Sequence, residues 1–159
     1  MYKHILIPTD GSDLSHKAIR DAIALAKAIN AKVTGITVTI PFHAFAMDPA
    51  MITDTEDSYK KRTSAAATKF LTQVKDAAAA VGVACAVIHA EHEHPYSAII
   101  DAANKAGCDL IAMASHGRRG LSAVVLGSET VKVLTHSNIP VLVCRGSRSG
   151  LFPPYFAAS

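Results

Sequence analysis

His4-Ile5-Leu6-Ile7-Pro8-Thr9-Asp10-Gly11-Ser12 is an apolar run of strand length broken by four turn-forming residues, and the period changes directly after it. From Leu14 to Ile29 the apolar residues Ala18, Ile19, Ala22, Ile23, Leu25, Ala26 and Ile29 recur at helical spacing, and Ser12 or Asp13 stands where a cap belongs. Strand, tight turn and helix in that order are the first half of a βαβ unit. The question is whether the rhythm continues.

It continues to Cys144. Lys32–Ile40, rich in β-branched residues, reads as a second strand ended by Pro41. Residues 42–53 have no period, but Phe42, Phe45, Met47 and Met51 predict a loop that packs on the body, in the position of a lid. Asp54-Thr55-Glu56-Asp57 supplies a cap and acidic residues to a long helix through Ala80 that Gly82 closes. Val83–Ala90 predicts a third strand, Tyr96–Ala106 a third helix stopped by Gly107, and Asp109–Ala114 a fourth strand. Ser128–Thr135 then reads as a fourth helix and Ile139–Cys144 as a fifth strand.

Strands joined by helices run parallel through right-handed crossovers, and a sheet covered on both faces explains apolar runs where half-exposed strands would alternate. The expected fold is therefore α/β: a doubly wound five-stranded parallel sheet with helices on both faces. Residues 1–145 form the domain and 146–159 a tail, which could dock through Leu151, Phe152, Tyr155 and Phe156.

Composition narrows the function classes. The chain has 159 residues, half of them apolar, enough for one core. A formal charge of +3, dispersed along the chain, argues against a nucleic-acid partner. No stretch approaches the roughly 20 apolar residues of a spanning helix, and the N-terminus runs straight into a strand, so the expectation is a cytoplasmic protein with no membrane association. Cys85, Cys108 and Cys144 are too scattered for a CxxC pair and read as reduced, buried thiols.

Ligands of doubly wound sheets bind beyond the carboxyl ends of the strands where strand order reverses, which directs attention to the loops after strands one and four. In the first, Asp10 can accept a hydrogen bond from a ribose hydroxyl or an adenine amine; a plain capped turn is the simpler reading of that loop taken alone. In the second, Gly117 and Gly120 let backbone N–H groups approach an anion, and Gly127-Ser128 open a helix whose amides and dipole favour phosphate. A glycine-rich connection to a Ser-capped helix is the alternative.

Taken together, Ala114-x2-Gly117-x9-Gly127-Ser128 resembles the G-x2-G-x9-G-[ST] pattern of nucleotide-binding members of the universal stress protein family, with Ala114 in place of the first glycine. The likeness extends to Ile5–Ser12 and to Ile139–Arg145, nearly the whole chain up to Arg145. It implies a Rossmann-like, adenine nucleotide alpha hydrolase-like fold. It also implies that Asp10 contacts the ribose, that Pro8, Thr9 and Val38 frame the adenine, that Met113, Ala114 and Gly117 line the ribose and phosphate path, and that Gly127, Ser128 and Glu129 hold the phosphates. Arg118 and Arg119 could neutralise phosphate, though adjacent loop arginines more often face solvent. His116 reads as a phosphate neighbour before it reads as an acid or base. The cluster His89, Glu91, His92, Glu93 and His94 lacks a known metal-ligand spacing and is assigned no metal.

The functional expectation is an ATP-binding regulatory protein of stress-response type, with AMP or ADP as alternative ligands and Mg²⁺ as a companion of the phosphates. With no phosphate-loop lysine or metal-carboxylate pair in the sequence, any turnover is slow hydrolysis or autophosphorylation. An adenylating enzyme is disfavoured, since the glycine pair of its pyrophosphate loop and a second substrate domain are both missing. A dimeric interaction module without nucleotide is the runner-up, favoured by Ala114 alone. Both remaining readings expect a homodimer through the last strand, Pro140–Cys144, as an edge whose backbone groups a second copy can satisfy.

Overall fold

The computed structural model describes residues 1–45, 55–117 and 126–146. Its five strands are β1 (His4–Pro8), β2 (Lys32–Thr39), β3 (Cys85–Glu91), β4 (Leu110–Ala114) and β5 (Val141–Cys144). They form one all-parallel sheet in the order β3-β2-β1-β4-β5. The helices are α1 (Asp13–Ile29), α2 (Phe42–Phe45), α3 (Glu56–Ala80), α4 (Pro95–Ala106) and α5 (Ser128–His136). The doubly wound architecture is thus as the sequence rhythm predicts, and the order reverses between β1 and β4.

Burial explains why β1 shows no alternation. Ile5 and Ile7 point into one core with Ile19 and Ile23 of α1 and Val74 of α3. Leu6, between them, points into the other with Ile99 of α4 and Val133 of α5. All three β1 residues are fully buried, so each successive position must be apolar. At about 25 cal/mol per Å² of apolar surface, each such side chain contributes about 1.5–3 kcal/mol.

Local chemistry sets the element ends. Ser12 Oγ accepts from Ser15 N at 3.2 Å and caps α1, and Thr55 Oγ1 accepts from Ser58 N at 3.2 Å and caps α3. Gly107 stops α4 at φ +68°, a left-handed conformation that a side chain would disfavour. Three strands begin later than expected. Val83 N donates to Ala78 O at 2.9 Å, which keeps it in the turn after α3 and delays β3 to Cys85. At β4, the Asp109 carboxylate is taken by the amides of Lys3 and His4, at 2.8 and 2.9 Å, ahead of the strand.

The segment expected as a loop after Pro41 opens instead with a helical turn. Ala44 N and Phe45 N both donate to Pro41 O at 3.1 Å, and the Phe42 and Phe45 rings lie 5.6 and 4.4 Å from the Tyr59 ring of α3. Packing on the body is therefore met through an aromatic cluster. Met47, Met51 and the tail residues Leu151, Phe152, Tyr155 and Phe156 lie outside the described residues.

Candidate functional site at the β1–β4 switch point

Because β1 pairs with both β2 and β4, the loops after these strands meet at their carboxyl ends. The β1 loop is pinned from β2: Thr9 N donates to Ile36 O at 2.9 Å, and the buried Thr37 Oγ1 donates to Thr9 O at 3.0 Å. That fixes the backbone at Pro8 and Thr9. Beside it stands Val38, half-buried on the same core cluster as Met113. Asp10 follows, its Oδ1 accepting from Ser12 N at 3.0 Å and from Ser15 Oγ at 2.5 Å.

From the other side, Gly117 comes against Asp10 so closely that a Cβ at residue 117 would overlap Asp10 Oδ2. This contact brings the two loops together and gives Gly117 a steric reason that its backbone angles do not, since its φ is not positive. The described ends of the β4 loop are tied together. Ser115 N donates to Cys144 O at 2.9 Å, Gly127 N returns to Ser115 O at 2.8 Å, and the buried Thr130 Oγ1 donates to Ala114 O at 3.0 Å. Gly127 is itself held close, its hypothetical Cβ lying 3.0 Å from His116 Cα.

Gly127, not Ser128, is the N-cap of α5, which corrects the Ser-capped alternative. No side chain caps this helix, whereas Ser12 and Thr55 cap α1 and α3. Ser128 is the first helical residue and exposed. An uncapped helix start with partial positive charge, facing the switch point, is the kind of place where an anion binds.

The residues named from sequence divide by what they present. Met113 is buried in the core with Leu6 and Ile99, so only its backbone can face a ligand. Ala114 packs its methyl against Ala18 and Cys144. Glu129, expected with Gly127 and Ser128 at the phosphates, has its carboxylate engaged elsewhere: Oε2 accepts from Tyr96 N at 2.8 Å, and Oε1 pairs with Lys132 Nζ at 3.0 Å. A carboxylate repels phosphate and here serves the start of α4, whose N-cap His94 makes no side-chain capping bond. Any contribution of Glu129 to an anion site is its amide. Arg118 and Arg119 lie outside the described residues.

Sequence reading missed the polar supports Ser15, Thr37 and Thr130, all buried. Their signal was a hydroxyl on an otherwise apolar face, which periodicity treats as noise. The histidine cluster separates into unrelated pairings: His89 with Thr39 at 3.0 Å, Glu93 with His43 at 2.6 Å, and His92 Nδ1 with the His94 amide at 2.9 Å. Among the described residues no three metal-ligating side chains converge. The thiols are free, and Cys108 is pushed up to about 11 by burial and by Asp109. No helix among the described residues is long and apolar enough to cross a membrane.

Residues 1–145 match the family model "Universal stress protein family". The chain is 35% identical over 149 residues to the universal stress protein MJ0531 of Methanocaldococcus jannaschii, spanning 91% of this chain and 83% of that one. The solved structure of MJ0577 from the same organism superposes with a TM-score of 0.78 at 29% identity, covering 94% of this chain and 99% of the other. A universal stress protein crystallised in complex with cAMP superposes with a TM-score of 0.65 at 25% identity, over 92% and 98% of the two chains. A family match over residues 1–145, a relative 35% identical and the superposition on solved members lead to one conclusion: this chain belongs to the universal stress protein family.

Proposed function

We propose that the protein binds an adenine nucleotide, ATP before AMP or ADP, across the β1–β4 switch point, and that occupancy rather than turnover is its output. The observation that carries this reading is the approach of Asp10 to Gly117 beside the uncapped start of α5: a carboxylate suited to sugar hydroxyls next to amides suited to phosphate. That a related protein binds cAMP supports the same ligand class. Asp10 meets the ribose, the backbone at Pro8, Thr9 and Val38 borders the base, and the amides of Gly127, Ser128 and Glu129 meet the phosphates, with Mg²⁺ entering on the nucleotide.

Ala114 no longer favours a module without nucleotide. Its φ is not positive, and its methyl packs on the α1 side of the core with Ala18 and Cys144, which supports nucleotide binding with alanine in place of the first glycine. The homodimer is part of the proposal: β5 is a sheet edge, and Leu142 on it is 39% exposed, with Val131 and Leu134 of α5 exposed nearby in sequence. A cytoplasmic location accords with three free thiols.

The test is calorimetric titration with ATP, ADP and AMP, with and without Mg²⁺, on the wild type and Asp10→Ala. Micromolar ATP binding that weakens at least tenfold in the variant is expected. A folded wild type that binds none of the three refutes the proposal.

A further inference from the structure

β3 forms the edge of the sheet opposite β5, and its seven residues make it the longer of the two edges, against four in β5. At the ends of its pairing with β2, Val33 N donates to Ala84 O at 2.9 Å and His92 N donates to Thr39 O at 3.0 Å. The ladder stays in register between them, so even-numbered residues of β3 turn their N–H and C=O toward β2, while Val87 and His89 turn theirs outward. Natural sheet edges are blunted by lysine, by proline or by a bulge. Cys85-Ala86-Val87-Ile88-His89-Ala90-Glu91 contains neither residue, and its ladder with β2 runs without a bulge.

Beside this edge lies a groove of about 440 Å³, lined by Ile88 and Ala90 of β3 and by Ala98, Asp101, Ala102 and Lys105 of α4. It is open because α4 packs mainly against β2 on this face of the sheet. Asp101 and Lys105 are exposed and one helical turn apart, yet neither takes part in an ion pair among the described residues. At roughly 3.3 Å per residue, Ile88 lies about 10 Å below the end of β3. At roughly 1.5 Å per residue, α4 descends about 9 Å from its start to Asp101 and about 15 Å to Lys105. The midpoint between acid and base is therefore level with Ile88 to within about 2 Å.

We propose that β3 is a self-association edge whose occupant is a second copy of this chain, paired antiparallel about a two-fold axis at Ile88. Val87 of one copy then exchanges both backbone bonds with His89 of the other, and the symmetry repeats the exchange. The same rotation reverses α4, so Lys105 of each copy comes to the level of Asp101 of the other. A parallel neighbour would instead set acid level with acid and base level with base, so the charge pattern selects the antiparallel copy. This contact is separate from the β5 edge and from the nucleotide site, and it depends on neither.

The experiment is sedimentation equilibrium of the full chain across micromolar concentrations, comparing wild type, Lys105→Glu and Lys105→Glu combined with Asp101→Lys. Any association through β5 is common to all three proteins. The wild type is expected to associate one step further than Lys105→Glu, with that step half complete at a concentration roughly tenfold lower or more, and the double variant should return to the wild-type curve. A monomeric wild type, coincident curves for wild type and Lys105→Glu, or a double variant that stays with the single one overturns the proposal. Cross-linking tests the register independently. Residue 88 sits on the axis, where facing Cα atoms of an antiparallel pair are about 4.5 Å apart and within disulfide reach. Mild oxidation of Ile88→Cys should give a covalent dimer. The wild type should give none, because Cys85 and its copy would lie about 20 Å apart along the strands. A folded Ile88→Cys protein that stays uncross-linked overturns the pairing.

Discussion

Gly117→Ala is the substitution in which geometry and function separate most cleanly. The added methyl overlaps Asp10 Oδ2, so one of the two must move. Asp10 is anchored through Oδ1 by Ser12 N and Ser15 Oγ, while Gly117 stands in a loop whose following eight residues lie outside the described ones. The loop should therefore yield first, and the fold should survive with at most about 1 kcal/mol lost, since φ at 117 is not positive and alanine is allowed there. The site should not survive as well. Either Asp10 turns from the sugar or the phosphate loop lifts from its place; losing a hydrogen bond to a charged group costs about 1.5–3 kcal/mol, a weakening of roughly tenfold to a hundredfold. The assay pairs a thermal melt with ATP calorimetry on the same preparation. A shift of a few degrees with binding weakened tenfold or more is expected. ATP affinity within twofold of wild type would refute the claim that the Asp10–Gly117 contact belongs to the site, and unfolding would show that Gly117 serves the fold.

Other consequences are simpler to check. Ala114→Gly, which restores the family's first motif glycine, deletes a buried methyl and adds strand flexibility; it should lower stability by about 1–2 kcal/mol in urea melts and leave ATP affinity unimproved. Gly107→Ala forces a side chain into φ +68° with nothing within 4 Å, so strain alone should cost about 1–2 kcal/mol, read as a melting point lower by roughly 2–8 °C with unchanged nucleotide binding. His4 has its pKa lowered, by burial first and by Lys32 second, against the opposing pull of Asp109. The unfolded chain therefore takes up that proton before the folded one, so the stability contribution of neutral His4 is present above about pH 6.5 and is lost as pH falls below it. Urea midpoints of wild type and His4→Gln should converge between pH 8 and pH 5.5, and a constant gap would show that His4 does not titrate differently on folding.

How much of this was legible depends on what each residue does. The strands and helices announced themselves because burial on both faces demands apolar runs such as Ile5-Leu6-Ile7, and because Gly107 and Ser12 mark ends by backbone conformation and hydrogen bonding. Boundaries slipped where a backbone group had a partner outside the ladder, as at Val83, whose amide returns to Ala78. The turn Phe42–Phe45 was invisible to periodicity because it is too short to have a period; two amides on one proline carbonyl and a Tyr59 ring hold it. In the site, Gly117 and Gly127 were legible as spacing, but the reason for each is a neighbour distant in sequence: Asp10 for the first, His116 for the second.

The side chains that sequence left unread share one property, which is that they act on other residues. Thr37 holds the Thr9 carbonyl, Thr130 the Ala114 carbonyl and Ser15 the Asp10 carboxylate, each from inside the core. A buried hydroxyl without such a partner costs about 1–3 kcal/mol, so each of these positions is stable only while the loop it supports keeps its shape. The reverse also holds: the loops at the switch point are backbone segments that would otherwise be free to relax, and the hydroxyls fix them before any ligand arrives. Glu129 follows the same logic at the next helix, where its carboxylate satisfies Tyr96 N and joins the starts of α4 and α5. The fold was readable from apolar periodicity, whereas the rigidity of the site resides in a few polar exceptions to it, and substituting those exceptions should change what the site recognises more than whether the protein folds.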